Sequence, residues 1–135
     1  LCEYGLVLGE EKTLTTIECK SFGLNHQLRV ANYMFGSIPK HSFWLEYLKE
    51  IIVKSNVKVN VENDILETTG PGLLTNVYHK IKENYTDIKL LKNENMKCLN
   101  WCNQISCHFG NYAAHLHLGS WRWENKSSLV VIPNE

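Results

Sequence analysis

The segment that most constrains the fold is residues 41–54, because it carries a strong helical pattern. Its spacing of i, i+1, i+4, i+5, i+8 and i+9 places the apolar side chains on one stripe, with the polar residues opposite. We therefore predict an amphipathic helix that faces a core. Ser42 is the predicted N-cap, because its hydroxyl can accept a hydrogen bond from the first helical turn. The stripe consists of Phe43, Trp44, Tyr47, Leu48, Ile51 and Ile52.

A second helix is predicted to begin at the Thr-Gly-Pro-Gly stretch of residues 69–72. Thr68 or Thr69 can cap this helix, and Pro71 suits its first turn because an N–H at that position would have no helical partner. The predicted buried stripe consists of Leu73, Leu74, Val77, Tyr78 and Ile81.

Several short apolar runs are typical of strands, because β-branched and aromatic residues are frequent in them. Residues 10–23 show no clear period, so we predict a loop there with at most a short strand at 15–17. Residues 96–110 are predicted to form a loop with small elements. Helices and strands alternate, which favours an α/β fold in one domain covering residues 1–135. The predicted strands cover residues 4–9, 28–37 (alternatively a short helix), 57–61, 87–91 and 112–118, and a last apolar segment covers 129–132.

The charge balance excludes some classes of partner. The chain contains 14 basic and 14 acidic side chains, and this neutral composition argues against general nucleic-acid binding. No apolar run approaches the length needed to span a bilayer, so membrane association is expected only through parts outside this chain. The first residue is Leu1, which indicates a piece of a larger or processed protein.

The five cysteines have two interpretations. An odd number argues against a closed disulfide framework. Cys98, Cys102 and Cys107 cluster beside His108, which would suit a small zinc-binding domain, but their spacing lacks the usual C-x2-C pair. Buried or free thiols, with at most one disulfide, are the favoured interpretation.

Two stretches can bind a ligand through an amide or through backbone groups. In residues 67–72, a helix N-terminus offers unpaired N–H groups, and Gly70 and Gly72 would let a sugar hydroxyl or an anion approach the backbone. Asn32 lies in an apolar segment, where its amide can bind a polar ligand or brace a turn. From the residues alone, a structural role is favoured for both stretches.

A third stretch contains histidines and a tryptophan near the end of the chain. Alternation along the predicted strand places His115 and His117 on one face, where imidazoles could bind Mn²⁺, Zn²⁺ or Fe²⁺. A site would need a further carboxylate or thiolate ligand. The Ser120 hydroxyl and the Trp121 indole N–H could donate hydrogen bonds to a phosphate. From the residues alone, packing is slightly favoured over a site.

Taken in order, these three stretches resemble motifs of glycosyltransferases that have a sugar-binding region containing a DXD motif. This group includes initiating α-1,6-mannosyltransferases, sphingolipid mannosyltransferases and bacterial capsular-polysaccharide transferases. The family pattern N-A-x-M-x-S-x-P-G-H-P-F-W is similar to N-Y-M-F-G-S-I-P-K-H-S-F-W at residues 32–44. The family's TGPG-x-x-T stretch resembles residues 69–75, and its His-His-x-x-Gly-Ser-Trp motif resembles residues 115–121 in part.

The resemblance implies a GT-A-like fold, with a mixed sheet flanked by helices, of which this chain is the C-terminal portion. It implies transfer of a hexose, with retention, from a UDP- or GDP-sugar donor to a glycan or lipid acceptor. Mn²⁺ or Mg²⁺ is the implied cofactor, with His115 and then His117 as the implied metal ligands. The implied donor- and sugar-binding residues are Asn32, Thr69, Gly70, Pro71, Gly72, Gly119, Ser120 and Trp121.

The chain departs from the family pattern in two places. The D-x-D motif is missing, because the acidic residues at 62–64 and 83–87 lie in the wrong place, whereas the family motif precedes the segment equivalent to 4–11. We therefore expect little or no transferase activity unless the preceding part is supplied. Leu116 stands where the family often has its second histidine. A non-catalytic module that binds sugar or nucleotide is the alternative function. The implied location is the cytoplasm for a bacterial or viral protein and the Golgi lumen for a eukaryotic one.

Overall fold

The computed structural model describes residues 3–21, 23–97, 105–110 and 112–115. These residues form a small mixed sheet flanked by helices, which confirms the predicted α/β class. No helix in this described part is long and apolar enough to cross a membrane. The elements in chain order are β1 (Leu6–Thr13), α1 (Thr16–Ser21), β2 (Leu28–Ser37), α2 (Ser42–Lys54), α3 (Glu62–Thr68), α4 (Pro71–Ile81), a 3-10 helix (Lys82–Asn84), β3 (Ile88–Leu91), β4 (Glu94–Lys97), β5 (Ile105–Phe109) and β6 (Ala113–His115).

The first sheet has the strand order β2-β1-β3 and is mixed. β1 runs parallel to β3, with Leu6 opposite Ile88, and antiparallel to β2. The β1–β2 ladder is interrupted twice. On β2, residues 32–34 are extra between the pairs Leu8–Phe35 and Gly9–Ala31. On β1, residue 11 is extra between the pairs that residues 10 and 12 form with β2.

Helices α2 and α4 cover one face of this sheet. Alternation along β1 turns Leu6 and Leu8 toward these helices, where they meet Phe43 of α2 and Leu74 of α4. These four side chains are almost fully buried, so the principal core lies between the sheet and the two helices. The predicted stripe of α4 is confirmed, since Leu73, Leu74 and Val77 are buried and Tyr78 and Ile81 pack against the same core.

The opposite face of the sheet packs against the second sheet, whose strand order is β4-β5-β6 and whose strands are antiparallel. Phe109 of β5 is buried with Ala31 of β2. Gly9 makes this approach possible, because a Cβ at that position would lie 2.6 Å from the Phe109 ring. Tyr33 and Ala113 complete this smaller cluster.

The predicted loop at residues 10–23 is wrong. β1 continues to Thr13 because its polar end pairs with the start of β2, with Thr13 opposite Leu28. Helix α1 then begins after a capping box, in which the Glu18 N–H donates to the Thr15 hydroxyl and the Thr15 N–H donates to the Glu18 carboxylate. The spacing Thr-x-x-Glu was present in the sequence, and this signal was missed.

The predicted strand at residues 57–61 is also wrong. Val57, Val59 and Val61 are exposed, and none of the described residues pairs with this segment as a strand. The Asp64 carboxylate instead accepts hydrogen bonds from the N–H groups of Asn60 and Val61, and helix α3 follows directly. An alternating pattern does not by itself provide a partner strand. In this segment the backbone N–H groups of Asn60 and Val61 donate to the Asp64 carboxylate instead.

Both predicted helix caps need correction. The N-cap of α2 is His41, whose Nδ1 accepts a hydrogen bond from the Phe43 N–H at 3.2 Å, and Ser42 is the first residue of the helix. The N-cap of α4 is Gly70, with Pro71 in the first turn as predicted. Thr68 ends α3 and Thr69 caps its C-terminus, because an additional short helix precedes the Gly-Pro-Gly turn.

Of the remaining strand predictions, some are confirmed and others fall only partly within the described residues. Residues 28–37 form a strand with the predicted bounds, and the strands predicted at 4–9 and 87–91 are present at Leu6–Thr13 and Ile88–Leu91. Within the predicted loop at 96–110, β4 and β5 are found in the described portions. β6 covers the start of the strand predicted at 112–118. The rest of that strand and the apolar segment at 129–132 lie outside the described residues.

Candidate functional site

Strand β2 brings the three motif stretches of the sequence together. The stretch at residues 67–75 contacts β2 at Arg29 and Val30. The stretch that begins at His115 contacts β2 at Tyr33, which lies in the 32–44 stretch. Residues 67, 75 and 115 therefore all contact one run of five consecutive strand residues, 29–33.

The first contact is an ion-pair cluster centred on Arg29. Its Nη2 donates to the Glu67 carboxylate at 3.1 Å, and its Nε lies 3.7 Å from the Glu11 carboxylate. The Arg29 side chain is only 12% exposed, so both charge pairs are partly shielded from water. The cluster lies at the carboxyl end of β1, the edge at which open α/β sheets place their ligands.

Glu11 has unusual surroundings for a carboxylate. It is the unpaired extra residue of β1, between the pairs Glu10–Val30 and Lys12–Arg29 of the β1–β2 ladder. Such a bulge redirects a side chain relative to the sheet. Burial raises the pKa of its carboxyl above the usual range, although the neighbouring Arg29 acts in the opposite direction. Asn93, which follows β3, donates from its amide to the Glu11 carbonyl at 2.7 Å. The Asn93 Oδ1 is buried and accepts no hydrogen bond within the described part of the chain.

The Gly-Pro-Gly turn is a tightly packed junction of α3 and α4. Gly70, Pro71 and Gly72 are buried, whereas Thr69 is exposed. A Cβ on Gly70 would lie 2.9 Å from the Leu66 backbone, and a Cβ on Gly72 would overlap the Glu67 carboxylate. The glycines therefore bring α3 against the start of α4, with a carboxylate near the positive end of the α4 dipole.

Two hydrogen bonds hold this turn against the rest of the fold. The Tyr47 hydroxyl of α2 donates to the Thr69 carbonyl at 2.7 Å. The hydroxyl of Thr75, one turn into α4, accepts from the Val30 N–H at 2.8 Å. Thr75 is buried, so its hydroxyl and the Val30 N–H satisfy each other inside the fold, where a polar group needs a partner. The turn is thereby fixed relative to β2.

Asn32 lies in the interruption of β2 that comprises residues 32–34, and its side chain is exposed. Although Asn32 stands in an apolar segment of the sequence, it is therefore not buried in the fold. The next residue, Tyr33, stacks on the His115 ring with a centroid distance of 3.7 Å and an interplanar angle of 9°. His115 therefore contacts the residue that follows Asn32 in β2.

The predicted metal and diphosphate site is described only in part. His115 lies in β6, whereas His117, Gly119, Ser120 and Trp121 lie outside the described residues. Among the described residues, no three His, Cys, Asp or Glu side chains are grouped so that they could hold a metal ion. The alternative zinc site is not testable on the same residues, because Cys98 and Cys102 and the side chain of Cys107 also lie outside them. The buried Cys19 is a free thiol.

Two residues of the 32–44 stretch have roles that the sequence did not reveal. Lys40 has a φ of 61°, the left-handed region that favours glycine. His41, besides capping α2, places its Nε2 at 3.3 Å from the Asp87 carboxylate, and its side chain is buried. Its Nδ1 accepts from a backbone N–H, so the neutral ring carries its proton on Nε2.

The sequence also missed the Arg29 cluster, because its members come from three separate segments. The only local signal was Arg29 in the strand predicted at 28–37, where a charged side chain needs a partner if it is buried, whereas Glu11 lies in a segment that was predicted as a loop. Chemically, a carboxylate, a guanidinium and exposed amide groups suit a neutral ligand rich in hydroxyl groups, which both donate and accept hydrogen bonds.

Comparison of the chain with known protein families, with curated proteins and with solved structures gave no match.

Proposed function

We propose that this chain is the C-terminal portion of a GT-A-like glycosyltransferase catalytic domain. The reaction is transfer of a hexose, with retention, from a nucleotide-diphosphate sugar to a glycan or lipid acceptor. The observation that carries the proposal is the convergence on β2 of the three stretches that resemble family motifs. Glu67 and Thr75 contact Arg29 and Val30, and His115 stacks on Tyr33.

The backbone at Lys40 also supports the proposal. The family pattern has glycine at this position, and Lys40 has the positive φ that glycine adopts without strain. The turn before α2 thus has a backbone conformation that the glycine of the family pattern could adopt without strain.

Within this proposal, the described residues bind and orient sugar groups. The exposed Asn32 amide can both donate to and accept from sugar hydroxyls, and the exposed Thr69 lies at the mouth of the Gly-Pro-Gly turn. Arg29 holds Glu67 and Glu11 in fixed positions between this turn and the carboxyl end of β1. Fixed polar groups contribute to transfer because they orient the reacting sugar before the bond breaks.

A divalent metal, Mn²⁺ or Mg²⁺, belongs to the proposal through the family resemblance. Such an ion would stabilise the negative charge of a diphosphate leaving group. Of the two proposed ligands, the structure describes His115, whose ring faces Tyr33. The described residues do not supply a metal site by themselves, since a single imidazole is not a sufficient ligand set.

The second candidate function is a module that binds sugar or nucleotide without turnover. The missing D-x-D motif favours it, because the metal would lack carboxylate ligands from this chain. The two candidates share the same binding site and differ only in chemistry, so one set of variants can separate them.

The experiment measures UDP and GDP binding by calorimetry, with and without Mn²⁺, and transfer from UDP- and GDP-hexoses by the full-length protein that contains this chain. We expect Asn32→Ala to lower turnover at least about tenfold, which is the loss of roughly one good hydrogen bond to the transition state. Asn76→Ala is the matched control, because Asn76 is an exposed asparagine on α4 away from β2, and it should change nothing. Binding without turnover would select the second candidate. Absence of both binding and turnover would refute both.

A further inference from the structure

Two histidines from distant parts of the chain stack face to face. His79 lies on α4, and His26 lies just before β2. Their ring centroids are 4.0 Å apart, the two rings are inclined by only 10°, and both residues are partly buried. Imidazole is the side chain that ordinarily gains its charge between about pH 8 and about pH 5. The two rings therefore pack as neutral groups in mild alkali and become adjacent positive charges in acid.

A hydrogen bond to the backbone fixes the position of one ring of the pair. The His79 Nε2 lies 2.9 Å from the Leu28 carbonyl oxygen, which only accepts, so Nε2 carries a proton in both charge states of the ring. Tyr78 packs edge-on against His79, and burial raises the pKa of the Tyr78 hydroxyl, so this neighbour stays neutral. Among the described residues, no group forms a hydrogen bond with the His26 ring, which depends on the stack for its position.

The groups that surround His26 do not offset a positive charge on its ring. Burial lowers the pKa of His26 below the ordinary value of 6.5, and the neighbouring His79 and Lys82 lower it further. Lys82 has only a long ion pair of 3.8 Å with the exposed Glu83. From α1, the Cys19 thiol donates to the His26 carbonyl at 3.5 Å and brings no charge to the ring. No carboxylate of the described residues contributes to this pKa shift.

The segment that contains His26 is weakly held by the rest of the fold. This α1 segment comprises residues 15–21 and 23–27. Helix α1 has six residues, of which only Cys19 is buried, and Ile17 is 80% exposed. At the base of the segment, the N–H of the buried Leu14 donates to the Gln27 carbonyl at 2.7 Å. A short helix with one buried side chain opens locally at low cost, and the bond at its base lets it open without disturbing the core.

We propose that the His26–His79 stack is a pH-sensitive switch, which holds the α1 segment against α4 while the rings are neutral and releases it when both are protonated. Two protonated rings repel each other across 4.0 Å, and Lys82 adds to this repulsion. The switch requires none of the transferase chemistry proposed above, because it depends only on packing and charge. Since Arg29 directly follows Leu28, the released segment adjoins the ion-pair cluster at the end of β1.

The lowered pKa of His26 gives the direction and the range of the switch. The neutral ring is favoured in the folded chain, so the stack contributes its full stabilisation above the ordinary pKa of 6.5. This contribution is lost as the pH falls through the lower pKa that His26 has in the docked segment. Docking is therefore complete in neutral and alkaline solution, and release occurs on the acid side.

Amide hydrogen exchange of the full chain, expressed as protection factors at about pH 7.5 and about pH 5, tests the switch. The Leu24 N–H reports on the docked segment, because it donates to the Cys19 carbonyl at 2.8 Å. Its protection should fall at least about tenfold at the lower pH, since local opening then no longer has to break a stable stack. The Val77 N–H belongs to the buried part of α4 and should keep its protection within about threefold.

Two matched variants separate the charge of the ring from its shape. His26→Phe keeps an aromatic ring beside His79 that cannot be protonated, so the Leu24 protection should differ less than about threefold between the two pH values. Asn25→Phe adds the same ring at an exposed position of the same segment and leaves the histidine pair intact. This control should retain the loss of protection in acid.

NMR titration of the histidine ring protons supplies a measurement on the unsubstituted chain, which decides the question even where a variant does not fold. The loss of Leu24 protection should follow the titration of His26, with a midpoint below 6.5. Equal Leu24 protection at both pH values in the wild-type chain would overturn the proposal. It would also be overturned by a loss that persists in His26→Phe, is absent from Asn25→Phe, is shared by Val77 or follows another group's titration.

Discussion

Helices α2 and α4 carry apolar stripes of the same kind, but the fold buries them to different extents. Leu73, Leu74 and Val77 of α4 are almost completely buried. On α2, Phe43 reaches the core, while Leu48 remains more than half exposed. Helical periodicity therefore determines which residues share a face, but whether that face is covered depends on what lies opposite it.

The position of each helix relative to the sheet explains the difference. α4 packs on β2 along its length, and its Thr75 hydroxyl bonds to the Val30 backbone. α2 contacts the core with one side only. Tyr47 and Ile51 lie on that side, whereas Leu48 and Ile52, the next residues around the helix, face away from the core. The comparison teaches that the elements packed against a helix decide how much of its apolar stripe is buried.

The largest predicted effect contrasts the two helices directly. Leu74→Ala removes a buried side chain from the principal core and should lower the free energy of unfolding by about 2–5 kcal/mol. Leu48→Ala removes a similar side chain from the exposed side of α2 and should cost no more than about 0.5 kcal/mol. Urea unfolding at low micromolar concentration measures both values.

Equal costs at the two positions would contradict the comparison.

The second prediction concerns the start of α4. Gly72→Ala should lower stability by about 1–3 kcal/mol, because the added Cβ must displace the Glu67 carboxylate from its place beside Arg29. The Glu67→Ala/Gly72→Ala double variant should be no less stable than Glu67→Ala alone, since the obstacle has then been removed. Thermal and chemical unfolding provide the measurements.

An unchanged free energy of unfolding in Gly72→Ala would show that the turn can accommodate a Cβ at this position. The packed junction of α3 and α4 would then be ruled out as the reason for the glycine.

The smallest predicted effect concerns the start of α2. Lys40→Gly should raise the free energy of unfolding by about 0.5–1 kcal/mol, because glycine relieves the positive φ at 61° and only part of this gain is lost to the entropy of the unfolded chain. Lys58→Gly is the control, since Lys58 is exposed and has no positive φ, and it should be neutral or destabilising. A loss of stability at Lys40→Gly would contradict the role assigned to this turn.

Local signals predicted those parts of the fold that depend on neighbouring residues. The periodicity of residues 41–54, the Pro71 helix start and the strand at 28–37 were recovered from the sequence. The strand prediction at 57–61 failed because a strand needs a second strand to pair with. None of the described residues forms such a pair with the alternating valines. Helix α3 and the capping box at Thr15 were present as local signals but were not used.

The candidate site was predicted less completely than the fold. The sequence singled out Asn32, the Gly-Pro-Gly turn and His115 as three separate stretches, and the fold brings all three to β2. Arg29 and Glu11 could not be found in this way. Their significance lies in a pairing across three segments, and no spacing in the sequence encodes it.

The sequence by itself determined the helical faces, the glycines of the α4 turn and the absence of net charge, because these follow from composition and from spacing along the chain. The tertiary structure decided which part of the α2 stripe is buried, which carboxylates surround Arg29 and which residue takes the left-handed conformation before α2. Burial and ion pairing depend on what the fold places opposite each residue, and at the α2 stripe and at Arg29 that neighbour is distant in sequence.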